Sequence, residues 1–503
     1  MTTMLKRGAG ILMPVSSLPS PYGIGTFGKS AYEFVDLLKK ARQCYWQVLP
    51  LGPTSYGDSP YQPFSAFAGN PYFIDLDLLK EEGLITDEEI NQCYWCDVAD
   101  EVKYDAIYYY RFPLLKKAYK RSTYKETKKY EDFCEENQAW LPDYCLYMAC
   151  KELFGGEEWL KWEEDIRFRK PEAMTHYEKE LADEMDYWKF LQFEFSEQWN
   201  ALKTYANDNG IKIIGDIPIY VAMDSADVWS HPELFELDEK TLFPLEVAGV
   251  PPDAFSDEGQ MWGNPIYNWM KMEETDFSWW KDRMKASAGL YDVIRIDHFI
   301  GVVQYYSIPY GSKDAKIGEW KKGPGKKLTD VINEAVGETK IIAEDLGVFS
   351  ADVKKLLAET GYPGMKIIEF AFSGDRFNEH LPHCYEPNSV VYGGTHDNET
   401  LVGYFKPDRR QWWELQYIAD YLGAEHQNEV VDRVFRAAYE SVASVAIFQM
   451  QDVLKLDNYA RMNTPGTLGQ NWRWRMKPGQ FGEAEINYLS KLVDVFGRFQ
   501  EGR

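Results

Sequence analysis

The sequence has no run of about 18 apolar residues, so no segment is long enough to cross a bilayer as a helix. The opening stretch MTTMLKRGAGILMPVSSLPSPYG also lacks the extended apolar core of a signal peptide, and the expected compartment is the cytoplasm. Basic residues are in deficit: 55 Lys and Arg stand against 80 Asp and Glu, a net charge of −25. Such a surface repels phosphate backbones, which argues against a nucleic-acid partner. Cysteines number seven, at irregular spacing. Cys93 and Cys96 form a C-x-x-C, but no second pair or nearby histidines complete a zinc site. A redox motif belongs at a strand-to-helix junction, whereas this pair lies in the acidic stretch NQCYWCDVAD. Reduced thiols are the expected state. No D-x-D-x-D-G loop and no H-E-x-x-H is present, so neither of these metal-site motifs is available. Internal repeats and low-complexity linkers are absent too.

What is present is a globular composition, 45% hydrophobic and 27% charged, with 17 Trp and 34 Tyr. Those rings serve either as core or as platforms for a flat apolar ligand face. Eight short runs read as strands buried on both faces. They are GILMPVSSL near residue 10, CYWQVLPLG near 44, IKIIGDIPIYV near 211 and YDVIRIDHF near 291, then KIIAEDLG near 340, MKIIEFAF near 365, SVVYGGTHD near 389 and SVAIFQMQD near 444. Helical periodicity lies between most of them. Residues 29 to 42 place Ala31, Phe34, Val35, Leu37 and Leu38 on one face, and residues 327 to 337 do the same with Leu328, Val331, Ile332 and Val336. Gly337 and Gly361 stand where helices end. Eight strands alternating with helices predict an α/β fold, a (β/α)8 TIM barrel with helical and loop insertions after strands two and three. The expected division is 1–75 for strands one and two, 76–205 for an inserted helical subdomain, and 206–503 for strands three to eight. A further inserted segment is expected at about 222–288, all within one catalytic unit.

Four of these strands end in acids: Asp216, Asp297, Glu344 and Asp397. Reactive groups in such barrels sit at the C-terminal strand ends. Four carboxylates at one mouth repel each other, and burial raises their pKa values, so stability alone does not explain them. One acid would be read as a helix cap or an Arg partner; four point to metal binding or to glycoside cleavage. Glycoside cleavage needs one ionised carboxylate and one that holds a proton. Arg295 lies two residues before Asp297, hence on the same side of the strand, where it orients that acid. Glu344 is then expected in a setting that raises its pKa.

These residues resemble the glycoside hydrolase clan of the α-amylases, with R-x-D on strand four, Glu on strand five and H-D on strand seven. More closely, the chain resembles the 4-α-glucanotransferases of family 77, the amylomaltases and disproportionating enzymes. The stretches that carry the resemblance are LPSPYGIGTFG (18–28), GDSPYQPFSAFAGNPYFID (57–75), GDIPIYV (215–221), AGVPPDAFSDEGQMWGNPIYNW (248–269), IRIDHF (294–299), AEDLG (343–347), GTHDNET (394–400) and RMNTPGTLGQNWRWR (461–475). No histidine follows Asp216, which fits this family and not an ordinary α-amylase.

The resemblance implies a nucleophile at Asp297, a general acid/base at Glu344 and, at Asp397, an acid that holds sugar hydroxyls. It also implies sugar contacts at Arg295 and His396, a strand-three acid at Asp216, and no cofactor or metal. The implied partners are α-1,4-glucans such as maltooligosaccharides, starch or glycogen. A retaining mechanism predicts the carboxyl groups of residues 297 and 344 about 5 to 5.5 Å apart. The GVPPD loop, stiffened by two prolines and ending in Asp253, is expected over the acceptor side of the cleft. Tyr56, Tyr61 and Trp262 are candidates for stacking on glucose rings or for ordinary packing. Asn463 and Asn471 bind sugar hydroxyls or form turns. Three rivals share some of these features: an α-amylase-type hydrolase, a non-catalytic glucan-binding barrel, and a branching or debranching enzyme.

Overall fold

The computed structural model describes residues 4–95, 98–252, 257–347 and 350–499. The eight apolar runs form eight parallel strands: β1 (Gly8–Leu12), β2 (Tyr45–Gln47), β3 (Lys212–Pro218), β4 (Val293–Asp297), β5 (Lys340–Ala343), β6 (Gly364–Ile367), β7 (Ser389–Tyr392) and β8 (Val445–Gln449). Their order round the sheet is β6-β7-β8-β1-β2-β3-β4-β5. The seam between β5 and β6 lacks a ladder. There Ala343 N–H donates to Pro363 O (3.0 Å) and Met365 N–H donates to the Asp345 carboxylate (2.8 Å). A (β/α)8 barrel, nearly closed, is the result.

Alternation along each strand divides its side chains between two cores. Leu12, Tyr45, Ile214, Val293, Ile342, Met365, Ile367, Val390, Tyr392, Val445 and Ile447 pack together inside the barrel. Their neighbours Ile11, Trp46, Ile213, Ile294, Ile341, Val391 and Ala446 join the larger core beneath the helices. Both faces are therefore apolar, as the sequence runs required. Helix α1 (Lys29–Lys40) buries Ala31, Phe34, Val35 and Leu38 on the face read from its spacing.

The long connection from β2 to β3 is mostly helical and ends in α2 (Ala182–Asp208). This helix packs on α1 and β3, and the Trp199 indole N–H donates to Leu290 O (3.1 Å). The C-terminal part of α2 thus acts as the crossover that leads back into β3, and the expected boundary at 205 falls inside it. Helix α3 (Lys326–Val336) buries Leu328, Val331, Ile332 and Val336. A second, four-stranded antiparallel sheet has the order Gln260–Pro265, Glu246–Val250, Gln304–Pro309, Glu319–Lys322. Two of its strands follow β3 and two follow β4, so it extends beyond the segment 222–288. Its outer strand, EWKK, is mostly charged and exposed, which hid it from an apolar pattern. Among the described residues no helix is long and apolar enough to cross a membrane.

Candidate active site

Inward-facing rows deliver the acids. On β3, Asp216 continues the row of Ile214; on β4, Arg295 and Asp297 continue that of Val293; after β5, Glu344 continues that of Ile342. Ile296 lies opposite Ala343 in the parallel register, so residues 297 and 344 leave adjacent strands side by side. Neighbouring strands lie about 4.8 Å apart, a spacing compatible with the retaining separation of about 5 to 5.5 Å.

Arg295 is buried and joins two acids through one nitrogen. Its Nη1 donates to both oxygens of Asp216 (2.6 and 2.7 Å) and to Asp297 Oδ1 (2.9 Å). Burial works against its charge, but Asp216 and Asp297 outweigh this and hold the guanidinium protonated. Glu344 has the opposite setting. It is 8% exposed and accepts from His298 N–H (2.6 Å) and Leu346 N–H (2.8 Å). Burial, reinforced by Asp297, pushes its carboxyl up to about 8, against the smaller opposing effects of Arg295 and the two amides. His298 adopts a left-handed conformation with φ of 50°, which aims its N–H at Glu344. Phe299 N–H donates to Glu344 O (2.9 Å) and Glu344 N–H to Ile296 O (3.0 Å), which extends the β4–β5 pairing past the ladder.

The third acid comes from the loop after β7. Asp397 Oδ1 accepts from Asn463 Nδ2 (2.6 Å) and lies 3.4 Å from His396 Nε2. Arg461 donates to the Asp397 carbonyl (2.6 Å). The side chain stays 48% exposed toward the mouth. Burial of its surroundings opposes the charge, yet His396, Asn463 and Arg295 prevail and hold Asp397 at about 2. The Tyr61 hydroxyl links the two halves: it donates to Asp216 Oδ2 (3.0 Å) and lies 2.9 Å from His396 Nδ1. The imidazole tautomer sets which of Tyr61 and Nδ1 donates, and Nε2 faces Asp397. Burial lowers the His396 pKa, but Asp397 outweighs it and the net shift is upward.

Tyr61, His396 and Trp472 also form an aromatic wall. Tyr61 stacks on His396 with centroids 4.5 Å apart, and Trp472 tilts against both at 5.7 and 5.9 Å. Trp262, in the strand Gln260–Pro265, meets His298 edge-on at 4.8 Å. Gln62 ties the Tyr61 loop to that strand through Asn264 (2.9 Å). Tyr56 is 97% exposed on the same loop, outside this contact network. Asn463 and Asn471 divide: Asn463 holds Asp397, whereas Asn471 accepts from Thr464 N–H (3.0 Å) and donates to Thr467 O (2.9 Å). The amide of Asn471 is thus committed to its own loop. Asp253 lies outside the described residues, as does Cys96. Among the described residues, no cluster of three or more His, Cys, Asp or Glu forms a metal-holding group. His298, Gln62, Arg461 and Trp472 were not among the sequence candidates. Each lies within one of the family-like stretches, but its partner is distant in the chain.

The chain matches the family model of the 4-alpha-glucanotransferases over residues 13–481. It is 50% identical over 486 residues to a 4-alpha-glucanotransferase of Clostridium butyricum, covering 97% of this chain and 100% of that one. The corresponding protein of Thermus thermophilus is 44% identical over 503 residues, covering 98% and 99%. Among solved structures, the amylomaltase from Streptococcus agalactiae in complex with acarbose superposes with a TM-score of 0.95 at 41% identity, covering 98% of this chain and 100% of that one. On this similarity along nearly its whole length, the chain belongs to the 4-alpha-glucanotransferase family, glycoside hydrolase family 77.

Proposed function

We propose that the chain transfers α-1,4-glucan segments between maltooligosaccharides by a retaining double displacement centred on Asp297 and Glu344. The observation that carries this reading is the pairing of two carboxyl groups on adjacent strands. One is ion-paired to Arg295; the other is buried with its pKa raised to about 8. Glu344 gives its proton to the glycosidic oxygen as Asp297 attacks the anomeric carbon. The glycosidic bond breaks, and the leaving glucan departs with a free 4-hydroxyl. Glu344, now a carboxylate, takes a proton from the 4-hydroxyl of an acceptor glucan. The acceptor oxygen attacks the anomeric carbon, the ester to Asp297 breaks, and both acids return to their starting states. Asp397, held ionised by His396 and Asn463, accepts hydrogen bonds from sugar hydroxyls.

Water at about 55 M competes with the acceptor, so the acceptor must be held in place; oriented neighbours reach effective molarities of about 10⁵ M or more. Tyr61, Trp262 and the exposed Tyr56 offer stacking faces for glucose rings. The unpaired cysteines among the described residues fit a reducing compartment, and we place the activity in the cytoplasm. Incubation with maltotriose tests the reading: a ladder of longer maltooligosaccharides together with glucose is expected. Products that never exceed the starting length would establish a hydrolase instead.

A further inference from the structure

Behind the loop that carries His396 and Asp397 lies a group of acceptors without a donor. Among the described residues, Glu369 Oε1, Gln449 Oε1, Gln451 Oε1 and Asp452 Oδ2 are buried and have no hydrogen-bond partner. Glu369 stands just past β6; the other three stand at the end of β8 and in the short helix Met450–Val453 after it. Their remaining polar atoms all hold chain near the third acid. Asn398 Nδ2 donates to Glu369 Oε2 (3.0 Å), and Asn398 Oδ1 accepts from Thr395 N–H (2.9 Å). Leu401 N–H donates to Asp452 Oδ1 (2.7 Å), Gln449 Nε2 to Glu399 O (3.3 Å) and Gln451 Nε2 to Ala460 O (3.1 Å). These four side chains therefore help to hold the loop 395–401 and the approach to Asn463, alongside Asn458, whose Oδ1 accepts from Thr400 N–H (3.1 Å).

Buried acceptors need a donor. The charged groups acting on Glu369 are Asp452 and Glu399, which oppose its ionisation, and Arg461, which favours it; the nearby Tyr404 hydroxyl donates to the Glu369 carbonyl instead. A Cβ placed on Gly394 would lie 2.9 Å from Glu369 Oε1 and 3.3 Å from Gln449 Nε2. Carboxyl and amide thus close tightly around that glycine. We propose that Glu369 is a positioning residue: it carries a proton at working pH, donates it to one of these buried acceptors, and so fixes the loop that presents His396 and Asp397. Burial and then Asp452 push the Glu369 carboxyl well above the ordinary range, and burial pushes Asp452 up to about 7. Both folded-state values are raised, so the stability drawn from this pair is present at low pH and is lost as pH rises through about 7.

The proposal rests on the assignment of Asp397 to the substrate site, but two of its three readouts do not involve sugar. Glu369→Gln supplies a neutral donor of the same shape, and its kcat/KM on maltotriose should stay within about twofold of the parent. Glu369→Ala removes the anchor of Asn398 and should lower kcat by about tenfold or more. In infrared difference spectra at pH 7, Glu369→Gln should lose a buried protonated-carboxyl band. Its melting temperature should also fall less between pH 6 and pH 9 than that of the parent. Loss of activity in Glu369→Gln equal to that in Glu369→Ala, an unchanged carboxyl band, or identical melting slopes would each overturn the proposal. Should Glu369→Ala fail to fold, the comparison of parent and Glu369→Gln still decides it.

Discussion

Glu344 and Asp397 face one mouth but are held by different means. Glu344 hangs on the barrel wall: two backbone amides grip it, and its own backbone extends the β4–β5 pairing. Asp397 stands on a loop, and side chains hold it there, chiefly Asn463 from a distant part of the chain and His396 beside it. The wall-mounted acid is dry and pushed up to about 8; the loop-mounted acid is open and held at about 2. Two carboxyl groups in one cleft thus differ chiefly through environment, which assigns the proton to one and the charge to the other. The charge of Arg295 favours the ionised form of both, and Tyr61 links the Asp216–Arg295 pair to His396.

The largest expected effect comes from removing the chemistry of the wall. Asp297→Asn and Glu344→Gln should each lower transfer from maltotriose by about 10²- to 10⁴-fold, with the melting curve little changed. A purified variant that keeps a tenth of the parent rate would exclude its residue from nucleophilic or acid/base catalysis. The next effect concerns pH. Glu344 acts as an acid only while protonated, so the rate of the first step should fall as pH rises through about 8. The sign for stability is the same. The folded chain keeps a proton that the unfolded chain gives up near 4.5, so the contribution of this group is full below 4.5 and is lost as pH rises to about 8. Asp397 is depressed, so its contribution is lost only as pH falls toward about 2, outside the working range. A single-turnover rate that stays flat to pH 10 would contradict the raised value for Glu344.

The same contrast explains what the sequence disclosed. Eight apolar runs marked eight strands because a parallel strand is buried on both faces, and the acids at their ends followed from alternation. Asp216, Arg295, Asp297 and Glu344 were legible for that reason. None of the four strands of the second sheet was; in the edge strand Glu319–Lys322 a charged, largely exposed segment has no apolar signature. His298 stood in view within YDVIRIDHFIG, but its value lies in a backbone N–H turned by a positive φ, which no side-chain pattern announces. Gln62, Arg461 and Trp472 act through partners far away in the chain or on other loops, so spacing is silent about them. Asn463 and Asn471 belong to one motif, and only the folded loop separates their tasks.

That pair gives the smallest and sharpest comparison. Both asparagines sit on one exposed loop, eight residues apart, and both spend their amides on hydrogen bonds within the protein. Asn463 bonds to a charged acceptor, and such bonds contribute about 1.5–3 kcal/mol. Asn463→Ala should therefore release Asp397 and lower kcat/KM by about tenfold, with little change in the melting temperature, because the acid remains open to water. Asn471 bonds to neutral groups in its own loop, each contributing about 1 kcal/mol at most when exposed. Asn471→Ala should loosen residues 464–471, visible as faster amide exchange, and leave kcat/KM within about twofold. Equal kinetic losses in the two variants would mean that the loop as a whole, and not the single bond from Asn463, orients the third acid.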